Sequence, residues 1–145
     1  MRLAHCMTYV RDLDRSIRFY EALLGYRVAD RHRYPGHRLA YLRKGDEPFE
    51  IELIAADESP LPVERPAVPT WHLAFAVDDI DREFARVRAL GCPVDPIGDY
   101  HANDRFMTRF FYAYDPDGNQ IEFLESVGRY DLSNGSISAG SRNAT

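Results

Sequence analysis

His5–Val28, "HCMTYVRDLDRSIRFYEALLGYRV", is echoed by His72–Val94, "HLAFAVDDIDREFARVRALGCPV". His5 falls on His72, Val10 on Val77, Asp12 on Asp79, and Asp14–Arg15 on Asp81–Arg82. Ala22–Leu23 then falls on Ala89–Leu90, and one residue drops out before Gly25 meets Gly91. Each copy reads as a short strand, an aspartate-marked turn, an amphipathic helix, a glycine stop and a second strand. Ile17, Tyr20, Leu23 and Leu24 recur at helical spacing in the first copy, and Phe84, Val87 and Leu90 do so in the second. Gly25 and Gly91 stand where helices commonly end in a left-handed residue. A period of about 67 residues with only two copies excludes a solenoid and predicts two modules of one kind.

Strand-like segments follow each helix. The first copy offers "YRVADRH", "RLAYLRK" and "FEIELIAA"; the second offers "PVDPI", "RFMTRFFYAY" and "NQIEFLE". "DPDG" (Asp115–Gly118) carries proline and glycine where a tight reversal needs them, and "KGDEP" is its counterpart. The predicted class is therefore α+β, with one βαβββ module over about residues 1–56 and another over 70–126, together one domain spanning 1–126. Residues 57–69, with Pro60, Pro62, Pro66 and Pro69, read as an extended linker. Residues 127–145 turn rich in Gly, Ser and Asn and read as a flexible tail.

Composition narrows the function classes. The chain has 145 residues, 12% of them aromatic, and a formal charge of −5. No basic face for nucleic acid is expected at that balance. No apolar run approaches membrane-spanning length and the N-terminus lacks a secretory pattern, so a cytoplasmic protein is expected. Cys6 and Cys92 lie far apart and suggest no disulfide framework. Lys44 is the only lysine and lies in a turn-like stretch, which sets Schiff-base chemistry aside.

The last strand of each module carries a glutamate at a corresponding place, Glu52 in "EIELI" and Glu122 in "QIEFLE". A carboxylate in a half-buried strand is costly unless it is paired or bound to a cation. One strand histidine is ordinarily a core residue; two histidines and two glutamates at repeat-equivalent places point to a shared task. His5, Glu52, His72 and Glu122 would form a mixed nitrogen and oxygen site for a divalent ion such as Ni, Co or Zn, with Mn or Fe as further options. Glu50 shares a strand face with Glu52 and is its rival. The run "RFFYAY" is expected to line the core on one face, with Met107 and Arg109 on the other. Residues 30–38, "DRHRYPGHR", read as a polar strand connection, or else as an anion-binding rim or a lid.

These residues resemble the vicinal oxygen chelate superfamily, and within it glyoxalase I (lactoylglutathione lyase) of the small bacterial type. The likeness is carried by "MRLAHCMTYVRDLDRSIRFYEALLGYRV", "WHLAFAVDDID" and "DPDGNQIEFLE", and runs from Met1 to about Glu125. It implies paired βαβββ modules forming a U-shaped mixed sheet around the metal, often completed by exchange within a homodimer. It implies isomerisation of a 2-oxoaldehyde–thiol hemithioacetal to a thioester through an enediolate, with Glu122 as principal base and Glu52 as second shuttle candidate. Methylglyoxal with glutathione, or with another thiol, would be the small-molecule substrates. The family's glutathione contacts are absent, since Tyr9, Ala56 and Val68 stand where it has Arg, Asn and, in some members, Arg. Tyr9, Met107 and Arg109 are the candidates for substrate contact instead. Other readings on the same scaffold are an epimerase, an extradiol-type dioxygenase, or a non-catalytic small-molecule binding protein.

Overall fold

The computed structural model describes residues 3–58, 71–102 and 104–128. Nearly all of the expected linker and tail lies outside them. The elements are β1 (His5–Tyr9), α1 (Leu13–Leu24), β2 (Arg27–Tyr34), β3 (His37–Arg43), β4 (Glu50–Ala56), β5 (Leu73–Val77), α2 (Ile80–Ala89), β6 (Gly98–Ala102), β7 (Arg105–Tyr114) and β8 (Gln120–Glu125). This is the α+β class, with βαβββ twice over. The chain divides into two compact units, residues 1–70 with 115–119, and residues 71–114 with 120–145. Among the described residues, no helix is long and apolar enough to cross a membrane.

In the first unit the strands run in the order β1-β4-β3-β2, with β1 parallel to β4 and the remaining pairs antiparallel. The Asp12 carboxylate accepts from the Arg15 N–H at 2.9 Å and starts α1. That hydrogen bond holds the Asp12 carboxyl below its ordinary value. Gly25, at φ 74°, ends the helix by donating its N–H to the Glu21 carbonyl. Leu13, Ile17, Tyr20, Leu23 and Leu24 are buried, and α1 packs on β3 and β4. Alternate residues Ala40, Leu42, Ile51, Leu53 and Ala55 fill the sheet face beneath it. The residues between them, Tyr41, Glu50 and Glu52 among others, occupy the opposite face. Residues 30–38 are a plain hairpin. Pro35–Gly36 joins β2 to β3, and Gly36 at φ 85° suits the third position of a type II turn.

The second unit repeats the plan in the order β5-β8-β7-β6. Asp79 caps α2 through the Arg82 N–H at 2.9 Å, as Asp12 caps α1. Ile80 and Val87 are the buried residues of α2, whereas Leu90 is 48% exposed and departs from the expected stripe. The last turn shortens there, because Leu90 already acts as the C-cap. Phe111 stacks on Phe123 at 5.0 Å and meets the edge of Phe84 at 5.2 Å, which joins helix to sheet. "PVDPI" is not a strand. Val94 makes one isolated bridge to Ala113, and the second strand of the module is Gly98–Ala102. Pro93 and Pro96 have no N–H to give a ladder.

Candidate metal centre

In each unit one histidine and one glutamate meet on the sheet face turned away from the helix. His5 precedes Glu52 by two places in the parallel register of β1 with β4, where His5 pairs with Glu50 and Met7 with Glu52. Its Nε2 reaches across to lie 3.5 Å from Glu52 Oε2. Glu52 is 8% exposed, so its carboxylate stands in poor solvent. The rival carboxylate is occupied: Arg43, directly opposite on β3, donates from Nε to Glu50 at 3.0 Å. The second unit reproduces the offset. Ala74 pairs with Glu122, and His72, just before β5, brings Nε2 to 2.9 Å from Glu122 Oε2. The small Ala74 leaves space beside that carboxylate. Gln120 stands where the first unit has Glu50, so this half carries a single anion at the site.

Two tyrosines complete the symmetry, and the sequence reading did not single them out. Tyr41 is the cross-strand partner of Glu52, and its ring meets His5 edge-on with centroids 5.8 Å apart. Tyr112 is the partner of Glu122 and meets His72 edge-on at 5.6 Å. The neighbouring Glu52 carboxylate, and then burial, hold the Tyr41 phenol above its ordinary value. Burial and the Glu122 charge push the Tyr112 phenol up as well. The signal was available in the repeat, since "LAY" and "FFY" place a tyrosine at the same point of each third strand.

The candidate substrate residues are scattered. Tyr9 shares the site face of β1 with His5 and Met7, opposite Ile54, and is exposed. Arg109 lies with Phe111 on the helix side of β7, and its guanidinium grips Asp81 of α2 at 2.7 and 2.9 Å. That pairing holds the Asp81 carboxyl down. The register of β6 with β7 steps from Tyr100–Thr108 to His101–Phe106, leaving Met107 as the extra residue of a bulge. The aromatic run therefore divides: Phe111 faces the helix, while Phe110, Tyr112 and Tyr114 share the face of Glu122.

Among the described residues, no group of three His, Cys, Asp or Glu side chains forms a metal site by itself. Each unit offers one imidazole nitrogen and one carboxylate, the donor types of borderline divalent ions. The donor set thus fits the expected metal in kind, with two candidate donors per unit.

The family model described as Glyoxalase/Bleomycin resistance protein/Dioxygenase superfamily matches residues 2–123. The chain belongs to this superfamily. Within the superfamily it is similar to the uncharacterized protein YwbC of Bacillus subtilis, 35% identical over 132 residues covering 86% of this chain and 97% of that protein. It is also similar to the lactoylglutathione lyase of Haemophilus influenzae, 34% identical over 134 residues covering 87% and 93%. Among solved structures, the trypanothione-dependent glyoxalase I of Leishmania major superposes with a TM-score of 0.66 at 30% identity, covering 86% of each chain.

Proposed function

We propose that this superfamily member is a metal-dependent lyase of the glyoxalase I type, which turns a 2-oxoaldehyde–thiol hemithioacetal into a thioester. The observation that carries the reading is the duplicated His–Glu pair: His5 with Glu52, and His72 with Glu122, set at the same register offset in each unit. Relatives called lactoylglutathione lyase support the same class.

His5, Glu52, His72 and Glu122 would hold one divalent ion, Ni, Co or Zn. When bound, it supplies Lewis-acid stabilisation of the negative charge that develops on the substrate oxygens. The rest falls to the side chains. Glu122 takes the proton from the carbon next to the carbonyl and returns it to the neighbouring carbon. The atoms balance as an isomerisation, and no electron acceptor is needed. A carboxylate suits this task because it needs only to turn between adjacent carbons. Ala74 beside Glu122 leaves room for that turn, whereas Glu52 is buried.

The thiol need not be glutathione. Tyr9 supplies no charge and Ala56 no amide where glutathione-binding members place Arg and Asn, and losing such partners weakens binding by several kcal/mol, of order ~3. The Leishmania relative, described as trypanothione-dependent, shows that the thiol varies within the fold's glyoxalases. A homodimer belongs to the same reading.

The deciding experiment is thioester formation from methylglyoxal and a panel of thiols, followed by ultraviolet absorbance, with protein stripped and reloaded with Ni, Co or Zn. Metal-dependent turnover with at least one thiol, lost in Glu122→Gln, is expected. Stoichiometric metal with no turnover on any 2-oxoaldehyde–thiol pair overturns the lyase assignment.

A further inference from the structure

We propose that Arg43 is a positioning residue that selects which carboxylate of β4 serves the centre: it holds Glu50 aside and leaves Glu52 to His5. The inference rests on the reading of His5 and Glu52 as ligands. β4 turns both carboxylates to one sheet face, because side chains two apart in a strand point alike. By backbone position alone Glu50 has the better claim. It stands directly beside His5 in the parallel register, while Glu52 lies two places further along. Yet the imidazole is found with Glu52, its Nε2 3.5 Å from Oε2.

β3 supplies the reason. Arg43 is the cross-strand partner of Glu50, and its Nε and Nη2 both donate to Glu50 Oε1, at 3.0 and 2.5 Å. Two charge-assisted hydrogen bonds from a planar fork fix a carboxylate more firmly than a single donor, and the guanidinium cancels its charge. A half-exposed ion pair of this kind adds little to stability, so its larger consequence is for the neighbouring site. With Glu50 free, a divalent ion on the four proposed ligands would face three carboxylates and a net negative charge. That charge opposes the one that develops on the substrate oxygens, whereas two carboxylates leave the ion neutral.

The second unit reaches the same result by another route. Gln120 stands in the place of Glu50 and carries no charge. It donates from Nε2 to the Tyr114 hydroxyl at 3.4 Å, and that hydroxyl donates to Asp95 at 2.6 Å. Where the first unit has a clamped carboxylate, the second has a tethered amide. Each unit therefore keeps one carboxylate for its histidine.

The test uses Arg43→Gln, Glu52→Ala and the two combined, in the full chain. Crystal structures of the metal-free proteins are expected to show Glu50 swung toward His5 in Arg43→Gln and clamped in wild type. Zinc affinity, measured by competition with a chromogenic chelator, supplies the second readout. Loss of an outer partner alone weakens metal binding by about 10- to 100-fold, so Glu52→Ala is expected to cost about 100-fold or more. Adding Arg43→Gln is expected to restore about tenfold or more of that loss, as the released Glu50 takes the vacated place, and Glu50→Gln on top should abolish the recovery. A purely structural role for Arg43 would lower the thermal unfolding temperature and restore nothing. Glu50 keeping its place in metal-free Arg43→Gln overturns the proposal. So does a double variant that binds zinc no better than Glu52→Ala, where wild type binds it. If the wild-type chain binds no zinc, the ligand reading fails by itself, and the place of Glu50 in Arg43→Gln still decides the role of Arg43.

Discussion

Asp115 shows how much one buried carboxylate organises. Its oxygens accept from the N–H groups of Asp117 and Asn119 at 2.9 and 2.7 Å, from Asn119 Nδ2 at 2.8 Å, and from the Tyr20 hydroxyl at 3.2 Å. This network turns "DPDG" from a turn composition into a fixed reversal. Asp117, presented by the turn, then accepts from Arg15 Nη2 of α1 at 2.9 Å. Burial pushes the Asp115 carboxyl above its ordinary value despite these donors. A raised carboxyl contributes stability that is full below its unfolded value and is lost as pH rises through the folded one. Removing a donor raises it further, so the damage must grow as the group ionises. Tyr20→Phe is therefore expected to destabilise the chain by about 1–2 kcal/mol at neutral pH, and by less below about pH 4, where Asp115 binds a proton in both states. Urea unfolding at the two pH values checks both the size and the sign.

At the level of elements, the legible features were those whose physics is local. Asp12 and Asp79 cap their helices, Gly25 closes α1, and the apolar spacing of α1 is buried as its period requires. Features that depend on a partner strand were not legible. The alternation of β7 suggests Arg109 on the face away from the core, which is wrong, because large apolar groups occur on both its faces and composition does not say which one meets α2. The structure puts Phe111 there and Arg109 beside it on Asp81. Tyr41 and Tyr112 acquire meaning only from the registers that set them opposite Glu52 and Glu122. "PVDPI" failed for a related reason, because a strand needs donors as well as apolar side chains. Phe111 bears the main joint of the second unit, fully buried between Phe123 and Phe84. Phe111→Ala should cost about 3–5 kcal/mol, read from chemical denaturation, with much of the loss coming from the cavity left between α2 and its sheet.

For the whole molecule, duplication sets the terms of the proposed centre. Each unit contributes one nitrogen and one carboxylate, and among the described residues neither gathers a third His, Cys, Asp or Glu donor. Two protein ligands hold a borderline divalent ion weakly, since sites for such ions ordinarily use three or four. Charge leads the same way. One carboxylate leaves a divalent ion with a net positive charge, whereas two neutralise it, and burying an uncompensated charge is unfavourable. The binding unit is therefore expected to be all four side chains on one ion, not two independent half-sites with an ion each. The two cases differ in stoichiometry. With a shared ion, wild-type protein dialysed against zinc and then against buffer should retain one ion per chain, and His5→Ala or His72→Ala should each retain close to none. Independent half-sites would instead give two ions per chain in the wild type and one in either variant. Metal content by atomic emission, with circular dichroism to show that both variants keep their fold, separates the two counts.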